Sequence, residues 1–149
     1  MKAQLLHEHD GQRTFAVIFA TGDEVMTRLV EFARQHHLCA SHFSAIGAFE
    51  RVTIAYFDWE TKQYRNIAVP DQVEVLALSG DIALENDAPK IHAHVVLGKA
   101  DGTAHGGHLV DGYVRPTLEA IVVESPAYLR RQIDAETGLA LITPSPGDV

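Results

Sequence analysis

Four of the chain's nine histidines fall in the stretch KIHAHVVLGKADGTAHGGHLVDG, residues 90–112. Imidazole is the commonest side-chain metal ligand, so the first question is which of these rings can reach one another. His92 and His94 alternate with apolar residues in IHAHV. In a strand they share one face, roughly 6–7 Å apart. Two rings so placed offer half of a tetrahedral site.

Whether His108 joins them depends on the length of the intervening turn. A two-residue loop at Asp101 and Gly102 sets His94 opposite Leu109 and sends His108 to the far face. A three-residue loop, Ala100 to Gly102, sets His94 opposite His108. The residues favour the second: a type I turn followed by a left-handed glycine is the usual three-residue hairpin with a glycine bulge. In that register His105 falls opposite Leu97 on the other face and is not a ligand. Gly106 and Gly107 are a place where a further bulge would change the pairing. Three neutral imidazoles, His92, His94 and His108, suit a borderline divalent ion, Zn²⁺ first, and leave a fourth position for water, a carboxylate or another ligand.

Other groups offer thinner chemistry. Glu74, Asp81, Asp111 and Glu119 lie near the histidine strands as general bases or a fourth ligand, and more simply as solvated strand residues. Phe49, Tyr56, Phe57, Trp59 and Tyr64 gather around one hairpin, where they stack on a ligand or fill a core or interface. His7 and His9 in HEHDG repeat the H-x-H spacing, but on a chain end expected to be mobile. His36 and His37 end a helix, where a cation complements the dipole, and His42 reads as a strand residue. Cys39 is alone, which excludes an internal disulfide and a cysteine-based zinc motif. Hydrolase and phosphate-loop signatures are absent from the sequence.

The elements that must hold these residues are mostly strands. RTFAVIFAT (13–21) alternates as a strand. A helix follows in GDEVMTRLVEFARQHHL, with Asp23 as the expected N-cap and Val25, Met26, Leu29, Val30, Phe32 and Ala33 on one apolar face. Seven short strand-like runs come next: SHFSAIGAFE, RVTIAYFD, QYRNIAV, VEVLALSGDIAL, KIHAHVVLG, GGHLVDGYV and TLEAIVVES. Turns separate them, with no room for crossover helices, so the expected class is α+β, a mainly antiparallel sheet with one main helix packed on it. DWETK and ADG are the clearest hairpin loops. SPAYLRRQIDAETG is expected to form a short helix after Pro126, with Arg130 and Arg131 on a solvated face. One domain is expected over residues 1–142, and a flexible tail over 143–149, TPSPGDV.

Twenty acidic and twelve basic residues give a formal charge of −8. A surface of that sign repels phosphate backbones unless its cations are segregated. The opening MKAQLLHEHDG lacks a signal peptide's apolar run, and no segment reaches the roughly 18–20 apolar residues of a membrane span. A cytoplasmic location without membrane association is expected.

VEVLALSGDIAL, then KIHAHVVLGKADGTAHGGHLVDGYV, then TLEAIVVE together resemble the PPC domain, the plants and prokaryotes conserved domain. The stand-alone prokaryotic type is meant, over roughly Arg13 to Ile142. The resemblance implies an α+β fold assembled as a homotrimer, with His92, His94 and His108 matching a metal site, for zinc first. In plant relatives a separate AT-hook with an R-G-R-P core enters the DNA minor groove. This chain has no such motif, so DNA as a partner is disfavoured, and other regulatory proteins are the alternative. Three functions are carried forward. One is a trimeric metal-binding module regulating transcription through protein contacts. Another is direct DNA binding, with Arg51, Arg65, Arg115 and Lys90 gathered by trimerisation. The third is a zinc enzyme activating water, with Glu74 or Glu119 as proton shuttle.

Overall fold

The computed structural model describes residues 1–144. Its hairpins form where polar turn residues tolerate positive φ. Asp10 and Gly11 (φ 48° and 80°) fold β1 (Lys2–His9) onto β2 (Gln12–Ala20), with the handedness that two-residue hairpins need. The opening segment, expected to be mobile, is thus a paired strand. Asn86 and Asp87 (φ 50° and 60°) turn β5 (Val73–Glu85) into β6 (Ala88–Gly98) in the same way.

Helix α1 (Val25–Gln35) buries Val25, Leu29, Phe32 and Ala33, the spacing of a single face. That face rests against β6 and against β7 (Ala104–Glu124). The N-cap is Glu24 and not Asp23: its carboxylate accepts from Met26 N at 2.9 Å and Thr27 N at 2.7 Å. Asp23 accepts instead from Ala20 N at 2.9 Å and Arg28 Nε at 3.0 Å, closing the turn that leaves β2. Glu24 also accepts from Gly112 N at 3.2 Å, which ties the start of the helix to β7.

Two expected breaks are continuous strand. SHFSAIGAFE and RVTIAYFD run together as β3 (Ala40–Asp58), and GGHLVDGYV joins TLEAIVVES in β7. Bulges replace the turns. At Gly47 (φ 152°) an added Cβ would lie 2.3 Å from Thr117 O, so glycine is needed where β3 and β7 cross closely. Pro116 lies between the pairs Phe49↔Val114 and Gly47↔Leu118, where the β3–β7 ladder shifts register. Its missing N–H therefore interrupts no β3–β7 pair.

With β4 (Gln63–Val69) the strands form one sheet in the order β1-β2-β7-β6-β5-β3-β4, and an added β7–β3 pairing closes β3, β5, β6 and β7 into a ring. All these pairings are antiparallel. Phe19, Phe32, Phe43, Phe49, Leu97 and Leu118 are fully buried between ring and helix.

The expected C-terminal helix is absent. Asp134 accepts from Thr137 N at 2.8 Å and from Thr137 Oγ1 at 2.7 Å. These bonds and Gly138 at φ 73° make a loop that pairs β8 (Arg131–Ile133) with β9 (Ala140–Ile142). Of the tail expected to be flexible, Thr143 N donates to Arg130 O at 2.9 Å, and residues 145–149 lie outside the described residues. Among the described residues, no helix is long and apolar enough to cross a membrane.

Candidate functional site

The turn after β6 has three residues. Gly102 N donates to Lys99 O at 2.9 Å, Lys99 N donates to Thr103 O at 2.9 Å, and Gly102 is left-handed at φ 82°. Asp101 secures the turn by accepting from Thr103 N at 2.9 Å. The resulting register pairs His94 with His108 and Leu97 with His105. His105 therefore stands apart from the other three.

His108 sits at a fork. It pairs with His94 of β6 on one side and with Ala55 of β3 on the other. The fork depends on Gly107, where a Cβ would lie 2.7 Å from Ala55 O. Core residues Ala93 and Val95 alternate with the histidines, so the rings project from the outer face of the ring of strands. Ring centroids are 5.0 Å apart for His92 and His94, 5.2 Å for His92 and His108, and 5.6 Å for His94 and His108. One nitrogen from each lies within 4.8 Å of the others. Ligands of a tetrahedral zinc lie about 3.4 Å apart for bonds of about 2.0–2.1 Å, which asks each ring to move inward by at most about 0.8 Å.

The electrostatics favour neutral rings at His108 and His94. Loss of water, followed by the charges of His92, His94 and Lys90, pushes the half-buried His108 down to about 4. His94 is also lowered, first by burial and then by His92. Neutral imidazole is the ligating form. His108 Nδ1 is buried without a hydrogen-bond partner among the described residues, a cost that an ion or water at that nitrogen would relieve. Tyr64 stacks on the His108 ring at 4.7 Å and 29°, holding its plane.

Of the four expected carboxylates, Asp81 is the one beside the cluster. It pairs across strands with His92, and its Oδ2 lies 3.8 Å from His92 Nδ1. Burial alone would raise the Asp81 carboxyl, but His92 and the Arg131 guanidinium together hold it below the usual carboxylate range. Arg131 was expected on a solvated face. Its side chain is only 5% exposed, bonded through Nη2 to Asp81 and through Nη1 to Ala140 O at 3.0 Å. The local composition RRQIDAE hides this contact, because the partner, Asp81, is fifty residues away.

Two clefts flank the histidines. One, about 450 Å³, is lined by His42, Ser79, Asp81, His92 and His94. The other, about 520 Å³, runs from His92, His94 and His108 past Tyr64 and Lys90 to the β8–β9 ribbon. Glu74 opens onto a separate small cleft beside Lys99, Asp111 onto another beside Arg51, and Glu119 lines neither histidine cleft. Phe49 is core; Phe57, Trp59 and Tyr64 form an edge-packed group. His7 and His9 stack at 6.5 Å on β1 without a third ligand among the described residues. His36 packs on Phe32 at 4.5 Å; burial, then Arg13 and His37, lower its affinity for a proton, so it acts as a packing ring and not as the expected dipole-stabilising cation.

The profile of the Plants and Prokaryotes Conserved domain matches residues 6–126. A bifunctional protein GlmU from Synechococcus sp. (strain JA-3-3Ab) is 31% identical over 129 residues, which is 85% of this chain and 20% of that protein. The chain thus spans about a fifth of the length of the curated relatives it matches. Among solved structures, a metal-containing protein from Archaeoglobus fulgidus superposes with TM-score 0.82 at 34% identity, covering 88% of this chain and 93% of that one. A plant- and prokaryote-conserved protein from Pyrococcus horikoshii gives 0.83 at 28%, covering 97% and 96%. A protein provisionally described as DNA-binding, from Ralstonia eutropha JMP134, gives 0.83 at 26%, covering 95% and 96%.

Proposed function

The chain belongs to the Plants and Prokaryotes Conserved domain family, and from that premise we propose that it is a metal-binding module whose ion, zinc first, is held by His92, His94 and His108. The observation that carries this reading is the convergence of three imidazoles on one face, each offering a nitrogen within 4.8 Å of the other two. The unpartnered, buried Nδ1 of His108 supports it, as does the metal-containing relative from Archaeoglobus fulgidus. When bound, such an ion supplies Lewis acidity and one open coordination position. The chain's own residues fix the ligand geometry: Tyr64 holds the plane of His108, while Asp81, anchored by Arg131, faces Nδ1 of His92.

The module is further proposed to be a cytoplasmic homotrimer acting in transcription regulation through protein contacts. Ile18, Ile46 and Ile121 support self-association. They are 41%, 62% and 43% exposed and surround Glu119 on the adjacent strands β2, β3 and β7. A direct DNA role is the weaker reading. Lys90 lies 3.4 Å from Glu85, Arg115 lies 3.8 Å from Glu50, and Arg51 stacks on Tyr113 at 3.6 Å. Most of the cations proposed to meet phosphate are therefore already partnered, on a chain of charge −8. A hydrolytic role is weaker as well, because Glu74 and Glu119 stand away from the histidines and Asp81 is committed to Arg131.

The test is elemental analysis of untagged protein. About one transition-metal ion per chain is expected, falling below about a tenth of that in His92→Ala and His108→Ala with the fold retained by circular dichroism. Equal metal content in both variants and the parent would overturn the reading.

A further inference from the structure

Beyond the ring of strands, and beyond the residues that the family profile spans, the β8–β9 ribbon forms one wall of the cleft that starts at the histidines. That wall is apolar. It carries Ile133, 68% exposed, and Leu141, 42% exposed, with Leu139 and Ala140 between them. The cleft's volume of about 520 Å³ falls within the roughly 300–1,000 Å³ of small-molecule sites. Its two ends differ in kind. At the strand end are the three imidazoles, Lys90, Glu85 and the Arg131 guanidinium; at the ribbon end are the aliphatic side chains of Ile133, Leu139, Ala140 and Leu141.

Charge selects the occupant's sign. Lys90 faces Glu85 at 3.4 Å and Arg131 is bonded to Asp81, so each fixed cation has its own carboxylate. Histidines hold a metal ion as neutral imidazoles. A divalent ion on them therefore adds two positive charges to a half-buried cleft that has nothing left to balance them, and an anionic ligand is favoured there. Hydrogen-bond supply selects its class. Arg131 gives its two terminal nitrogens to Ala140 O and Asp81 but keeps Nε buried without a partner among the described residues, so the donors at the strand end are Arg131 Nε, Lys90 and the Tyr64 hydroxyl. Three donors match the two oxygens of one carboxylate and fall short of the full set that a phosphate group accepts.

We infer that this cleft binds a small aliphatic monocarboxylate, its carboxylate toward the histidines and Lys90 and its hydrocarbon body along Ile133 and Leu141. The inference rests on the metal reading above and assigns that site its ligand.

The experiment titrates acetate, hexanoate and inorganic phosphate into cobalt-loaded protein, following the visible cobalt spectrum, with bound cobalt quantified separately. Hexanoate is expected to bind at least tenfold more tightly than acetate, since each buried methylene adds to affinity, and more tightly than phosphate. Leu141→Asp and Ile133→Asp alter surface-exposed side chains, so the fold and the cobalt content should be unchanged. In both variants the advantage of hexanoate over acetate should fall to less than threefold. Equal affinities for hexanoate and acetate, tighter phosphate binding, or an unchanged advantage in both variants would overturn this inference while leaving the metal site standing. Failure to bind cobalt at all would overturn the metal reading, and the ligand with it.

Discussion

Cys39 shows how the surroundings of one residue set its chemistry. Its thiol stands at the junction of α1 and β3, within 3.5 Å of Glu124 Oε1 and 3.4 Å of Ala127 O. Burial first, and then the charge of Glu124, raise it to about 11. Because the thiolate is the nucleophile, only about one part in a thousand is reactive at pH 8, against roughly a quarter for an unperturbed thiol near 8.5. Alkylation by iodoacetamide at pH 8 should be more than a hundredfold slower than that of free cysteine, with a rate still climbing above pH 9.5. A plateau below pH 9 would contradict this account. Glu124 itself is 3% exposed and ionisable, yet it is well supplied with donors: Cys39 N at 2.9 Å, Ala40 N at 3.3 Å and the Ser41 hydroxyl. It joins the end of β7 to the start of β3. Residue-level reading of the sequence showed Cys39 to be the lone cysteine but could not find its partner 85 positions away.

At the scale of elements, the histidine site is a product of strand geometry. Period-two alternation in IHAHV and the turn chemistry of ADG were enough to place His92, His94 and His108 on one face, because both signals act within a few residues. What local patterning does not contain is the fork at Gly107, where β7 leaves β6 and takes up β3 as a partner. The two glycines before His108 looked like a source of register error; Gly107 is a requirement of close backbone approach. Replacing Gly107 with Ala should force β3 and β7 apart and cost about 1–3 kcal/mol, as overpacking does. Urea unfolding would show this as a lower midpoint with an unchanged slope. Gly102→Ala tests the turn instead: it leaves open space around the new methyl but strains φ, so its effect should be about 1 kcal/mol. The helix was legible from its apolar face, while its cap moved one residue to Glu24, whose reach to both Met26 N and Gly112 N depends on β7 lying alongside.

For the whole molecule, closure of β3, β5, β6 and β7 into a ring places the core inside and leaves the metal-site candidates outside. All three histidines come from one chain, so the cluster does not need a second copy to be complete. Self-association is proposed to rest on a different patch, Ile18, Ile46 and Ile121. Ile46→Asp should therefore lower the mass seen by sedimentation equilibrium toward that of the 16.3 kDa chain while leaving metal content per chain unchanged. A trimer that persists in this variant would place the contact elsewhere. The sequence by itself determined the class of fold, the family and the shared face of three imidazoles, because each follows from alternation, turn residues and motif order within short spans. Only the tertiary structure decided that Arg131 is buried against Asp81, that residues 131–142 form a ribbon and not a helix, and that this ribbon walls a cleft leading to the histidines. The ribbon turns on bonds between Asp134 and Thr137, but the Arg131–Asp81 contact joins residues fifty positions apart and the cleft joins the ribbon to β6 and β7; such pairings are set by how the sheet closes and not by the local pattern of either segment.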